Sequence, residues 1–159
     1  MTPDQKRWVM STAGQAYTAQ HIYPRMAACE AALESNYGAS QLAIRGNNLF
    51  GMKQHKHATF GTMALPTREF LGGQWQEVEA DFVSYPTITD CFADRMATLR
   101  RLQDVYPNYH IALTSTTPEA YIIAVSKTWS TDPERAQKVL AVYNEVFPLP
   151  VEMNLQGDT

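Results

Sequence analysis

Glu34 closes an apolar run, Met26-Ala27-Ala28-Cys29-Glu30-Ala31-Ala32-Leu33, that reads as a buried helix. A carboxylate at the C-terminal end of a helix faces the negative pole of the helix dipole. Ala31, Ala32, Leu33 and Tyr37 would strip water from it, and both effects favour the protonated form. A carboxyl that keeps its proton near neutral pH is a general acid, the group that hands a proton to the departing oxygen when a glycosidic bond is hydrolysed. Glu30, one turn earlier on the same face, is the rival for that role. Sugars are recognised by flat aromatic faces and amide hydrogen bonds. The aromatic candidates are Tyr37, Phe50, Trp75, Tyr85, Tyr121 and Trp129, and the amide candidates are Asn47 and Asn48. His55 and His57 resemble a zinc pair but lack an ordered carboxylate or a third histidine, so a solvated loop is expected and no metal. Cys29 and Cys91 have no CxxC partner and read as two small buried thiols.

These residues must be positioned by a helical body. Trp8, Val9, Thr12, Ala16 and Ala19 recur at helical spacing, which predicts a first helix from about Pro3 to Ala19. Pro24 starts a second, and Gly38 is suited to end it in the left-handed conformation. Between Asn48 and Tyr85 the character changes. Glu77 to Tyr85 alternates polar and apolar residues as a half-exposed strand does, and Arg68 to Leu71 precedes Gly72-Gly73, so a β-hairpin inserted into a helical protein is expected. Helices return after Pro86. Thr87 with Asp90, Thr117 with Pro118, and Thr131-Asp132-Pro133-Glu134 are the capping devices of three of them. Pro148 and Pro150 stop the last, leaving residues 148–159 as a loose tail behind one catalytic domain over residues 1–147.

Four segments, in order, carry a resemblance. Ala31-Ala32-Leu33-Glu34-Ser35-Asn36-Tyr37-Gly38-Ala39-Ser40 resembles the stretch around the catalytic glutamate of the glucosaminidases of glycoside hydrolase family 73. This family includes autolysins, flagellar rod proteins and phage lysins. Asn48-Leu49-Phe50-Gly51-Met52-Lys53 is similar to the family's NLFGIK signature. Thr67-Arg68-Glu69-Phe70 with Ala80 to Tyr85 is similar to its hairpin, and Thr128 to Pro133 is similar to its GYATDP segment. The resemblance covers about Pro24 to Phe147. It implies a mainly α, lysozyme-like helical domain whose small β-hairpin lobe forms one wall of a substrate cleft. It also implies an endo-β-N-acetylglucosaminidase acting on the peptidoglycan glycan strand, with Glu34 as general acid and Glu69 as the second carboxylate. Glu69 would activate water or support attack by the substrate's own acetamido oxygen, with Glu77, Glu79 and Asp81 as alternatives. Tyr37, Asn48, Tyr121 and Trp129 are the expected substrate contacts. Trp129 stands where the family's segment carries a tyrosine, and an indole cannot accept a hydrogen bond. That departure keeps open a glycan-binding domain of impaired turnover, beside an N-acetylmuramidase on the same scaffold.

The totals exclude other classes. Thirteen Lys and Arg against sixteen Asp and Glu give a charge of −3, with no electrostatic footprint for nucleic acid or an anionic membrane. No apolar run is long enough to span a bilayer, and Met1 opens onto a polar stretch rather than a signal peptide. The expected partner is therefore the glycan strand itself, met by a monomer without cofactor. Its place of action is the bacterial wall, in the periplasm or outside the cell. It would be a phage endolysin, a delivered effector or an autolysin fragment, reaching the wall by a route other than its own leader.

Overall fold

A computed structural model describes residues 1–148; the expected tail from residue 149 onward lies outside the described residues. Seven helices and one antiparallel hairpin follow in the order α1 (Pro3–Thr18), α2 (Pro24–Glu34), α3 (Gln41–Gly46), β1 (Gly61–Leu71), β2 (Gln74–Ser84), α4 (Ile88–Leu102), α5 (Pro107–Leu113), α6 (Pro118–Trp129) and α7 (Arg135–Val146). This is the mainly α body with a β-hairpin lobe that the sequence implies.

The local chemistry explains most boundaries. Thr2 and Gln5 form a reciprocal capping box, each side chain meeting the other's backbone N–H at 3.1 and 2.9 Å. Thr87 and Thr117 accept from the amides of Asp90 and Ala120 at the starts of α4 and α6. The device expected before α7 takes a different form. Thr131 caps nothing; Asp132 instead accepts from the Glu134 amide at 2.9 Å and from Lys138 Nζ at 2.7 Å, closing a turn around Pro133. Gly72 and Gly73, both at positive φ, form the two-residue hairpin turn.

α2 is the central helix. Met26 to Ala32 are all buried, and the four alanines among them let neighbours approach from every side. One side of α2 packs with Val9, Leu99, Tyr121, Val125 and Val139 from α1, α4, α6 and α7. The other side, through Ala27 and Ala31, packs with Leu49, Phe50, Val83, Tyr85 and Phe92 at the root of the hairpin. Cys29 and Cys91 are buried free thiols, and burial pushes both up to about 12. α2 ends at Glu34, four residues before Gly38. Asn36, Tyr37 and Gly38 are all left-handed, and the turn is tied by Ser35, whose hydroxyl donates to Ala31 O and accepts from the Gly38 amide. A Cβ on Gly38 would lie 2.6 Å from Trp8 Nε1, so this glycine is required for space as well as for φ.

Candidate active site

Glu30 and Glu34 lie one turn apart on α2 and meet opposite fates. The Glu30 side chain is fully buried. Arg95 of α4 grips it with two parallel bonds (3.0 and 2.8 Å), Arg135 of α7 adds a third at 2.7 Å, and the Tyr121 hydroxyl donates a fourth at 2.6 Å. Burial alone would raise its pKa. The two guanidiniums and the hydroxyl prevail and hold it well below the usual carboxylate range. Removing one partner from such a buried network costs about 3–5 kcal/mol. Glu30 is therefore a structural carboxylate, committed on both oxygens and sealed from any substrate.

Glu34 is the carboxyl that solvent reaches, with its side chain 30% exposed. Its surroundings differ from the expected apolar set. Leu33 turns outward, and the contact that defines Glu34 is Arg135 Nε, donating to Oε1 at 3.0 Å. The remaining oxygen, Oε2, accepts no hydrogen bond among the described residues. Arg135 is itself fixed by Ser126 Oγ at 2.9 Å and by Glu30, so one planar group ties α2, α6 and α7 at the same point.

Two of the four expected sugar contacts, Tyr121 and Asn48, are buried in the core. Tyr121 is fully buried, its hydroxyl donating to Glu30 and accepting from Arg95 at 3.0 Å. Asn48 is buried, and its amide braces the turn of Asn48 to Lys53 against β2. It donates to Met52 O and Val83 O and accepts from the Met52 amide, all at 2.9 Å. Tyr37 packs edge-on against Trp8 of α1, ring centroids 6.3 Å apart. Tyr121 and Asn48 carry polar groups that could serve a ligand and serve the core instead, whereas Tyr37 stays half-buried. Trp129, at the end of α6 one turn from Ser126, is half-buried. Its ring lies 4.3 Å from the Arg95 guanidinium, and Phe50 lies 4.5 Å from the same group. An indole here covers the buried ion cluster, which gives the tyrosine-to-tryptophan departure a structural use.

The hairpin register decides which acids face inward. Glu69 pairs with Gln76, and the strand alternation puts it on the face that also carries Leu65 and Phe82. With Ser40, Gln41 and Leu42, that face bounds a groove of about 220 Å³. Glu77, Glu79 and Asp81 pair with Arg68, Pro66 and Ala64 on the opposite face. Lys53 Nζ donates to Glu69 Oε1 at 2.8 Å. Lys53 is bridged to Phe82, six positions along β2 from Gln76, a span of about 20 Å in a flat strand. The contact therefore requires the two-stranded ribbon to coil strongly, as such ribbons do. Trp75 stays exposed near the hairpin tip, against Phe70.

The expectation of a solvated histidine loop holds for exposed His57 but not for His55. The latter is mostly covered, with Nε2 3.3 Å from Asp94 Oδ2, an oxygen that also accepts from the Tyr85 hydroxyl. No group of three or more His, Cys, Asp or Glu side chains among the described residues converges as a metal site.

A family model for mannosyl-glycoprotein endo-beta-N-acetylglucosaminidase, the glucosaminidase domain, matches residues 10–147. The chain belongs to the glucosaminidase family. This glucosaminidase domain is thus a glycoside hydrolase of family 73, as the four motifs imply. It is similar to the exo-glucosaminidase LytG of Bacillus subtilis, 28% identical over 158 residues, which cover 91% of this chain and 55% of that protein. A probable N-acetylmuramidase of Lactococcus lactis is 29% identical over 133 residues, 77% of this chain and 29% of its own length. The peptidoglycan hydrolase FlgJ of Salmonella typhimurium is 28% identical over 123 residues, 74% of this chain and 37% of that protein. The structure of FlgJ's truncated glycoside hydrolase domain superposes with a TM-score of 0.70 at 26% identity, covering 92% of this chain and 99% of that one. The chain spans about half the length of these curated relatives, or less.

Within the glucosaminidase domain, the groups that sequence reasoning missed are Arg95 and Arg135. Arg95 lies among Cys91, Phe92, Met96 and Leu99 on the buried face of α4, and a charge inside an apolar stripe is the signal for a buried partner of opposite sign.

Proposed function

We propose that residues 1–147 act as one catalytic domain that hydrolyses the β-1,4 bond after N-acetylglucosamine in peptidoglycan glycan strands, with Glu34 as the general acid. One observation carries the assignment. Of the two carboxyls on α2, Glu30 is sealed and fully bonded, whereas Glu34 is open to solvent and its Oε2 accepts no hydrogen bond among the described residues. In the reaction, Glu34 protonates the glycosidic oxygen while positive charge builds at the anomeric carbon. Glu69 then either activates the water that adds there or supports the substrate's acetamido oxygen. The hairpin face that Glu69 shares with Leu65 and Phe82 supports its choice over Glu77, Glu79 and Asp81. Half-buried Trp129 would offer its indole to a sugar. The domain would work as a monomer on the wall, beyond the cytoplasmic membrane. No helix among the described residues is long and apolar enough to cross a membrane.

Glu34→Gln keeps the shape and removes the proton, so lysis of purified peptidoglycan should fall by at least about a hundredfold. Lysis within threefold of wild type would overturn the assignment, and lost lysis with retained glycan binding separates an enzyme from a binding module. The second reading, an N-acetylmuramidase, is favoured by the similarity to the probable N-acetylmuramidase of Lactococcus lactis. The same catalytic carboxyls would serve it with the two sugars exchanged across Glu34.

A further inference from the structure

We infer that Arg135 is a positioning residue for Glu34, aiming its free oxygen and stabilising the carboxylate that proton transfer creates; this rests on Glu34 being the general acid. Two guanidiniums, those of Arg95 and Arg135, share the single fully buried carboxylate of Glu30. One positive charge is left over, and Glu34 is the carboxylate bonded to it. The neighbours that complete the electrostatics are Tyr121 of α6, Tyr109 of α5 and Asp132 in the turn before α7. Burial keeps Tyr121 protonated far above its ordinary range, and Asp132 is held down by its bond to Lys138. Arg135 cannot swing away, because its two terminal nitrogens are held by Ser126 and Glu30 while Nε faces Glu34.

The consequence lies in the chemical step. The proton leaves Glu34 for the glycosidic oxygen, and the C1–O bond breaks with its electron pair going to that oxygen. Water later adds at C1, and the proton it gives up passes by way of Glu69 or solvent back to Glu34, restoring the acid. Through the first transfer Glu34 goes from neutral to negative, so a fixed cation at its Oε1 interacts more strongly as the transfer proceeds than before it. An interaction that grows toward the transition state raises turnover rather than substrate affinity.

The test uses Arg135→Gln on a soluble peptidoglycan oligosaccharide, with Glu34→Gln alone and combined. The expected result is a fall in kcat of tenfold or more with KM within threefold. Glu30 keeps Arg95 and Tyr121 in this variant but loses its Arg135 bond, so circular dichroism and thermal unfolding first establish that it is folded at the assay temperature. Should it not fold, Arg135→Lys decides: kcat should fall with the lost Nε bond while KM stays within threefold. Adding Arg135→Gln to Glu34→Gln should cause no further loss. A folded Arg135→Gln enzyme with wild-type kcat overturns this inference while leaving the general acid intact. An active Glu34→Gln enzyme strikes the general-acid reading itself. A further tenfold loss in the double variant would show that Arg135 acts elsewhere, which also overturns the inference.

Discussion

Acid should destabilise this domain through His21 well before its carboxylates are titrated. His21 is buried between α1 and α2, where Nδ1 donates to Ile22 O at 2.6 Å and Nε2 accepts from Arg95 at 3.2 Å. A carbonyl only accepts, and Arg95 only donates, so the ring is held in one neutral tautomer. Burial first, and then the charge of Arg95, lower its pKa from 6.5 to about 4. The unfolded chain takes up a proton near 6.5, and the folded chain does so only near 4. The stability that neutral His21 provides is therefore complete above about pH 6.5 and is lost as pH falls toward 4. The difference corresponds to about 3 kcal/mol, at about 1.4 kcal/mol per pH unit within the window. Glu30 acts with the same sign but in a separate window, below its ordinary carboxylate range. Urea unfolding of wild type and His21→Gln at half-unit steps from pH 7 to 4.5 isolates the term. The wild-type slope should exceed that of the variant by about one proton between pH 6 and 4.5. Equal slopes would refute the reasoning.

Other outcomes follow from single contacts. Tyr121→Phe should lower stability by about 1–3 kcal/mol by removing a hydroxyl from the Glu30–Arg95 pair, and should leave KM within twofold; a KM rise without destabilisation would return Tyr121 to the cleft. Gly38→Ala should cost about 2 kcal/mol or more in thermal unfolding, because its φ of +79° and the Trp8 ring both oppose a Cβ. Lys53→Ala should uncouple the coiled hairpin from the 48–53 turn, which protease cutting near residues 70–75 would report as faster cleavage. Glu69→Gln should lower turnover clearly, though less than Glu34→Gln, and leave the unfolding midpoint unchanged.

The sequence made local features legible because their determinants are local. The caps at Thr87 and Thr117, the Gly72-Gly73 turn and the buried cysteines each follow from neighbours a few positions away. α3 and α5, six and seven residues long, are too short to develop a helical period and were not legible. The site was legible only in part. Motif and helix position point to Glu34, but the contact that governs it comes from Arg135, 101 positions later. Glu30 draws its partners from 65 and 105 positions away, a tertiary choice that no window of sequence contains. The same limit explains Tyr121 and Asn48. Their polar atoms suit a sugar, and whether they meet one depends on which way the fold turns them.

The central claim is a glucosaminidase-type cut in peptidoglycan, and one measurement addresses it. Purified peptidoglycan digested by the protein is reduced with borohydride, and mass spectrometry reads which sugar has become the alditol. N-acetylglucosaminitol at the new ends, absent from digests with Glu34→Gln, is the predicted result. N-acetylmuramitol alone would contradict it and make the enzyme a muramidase.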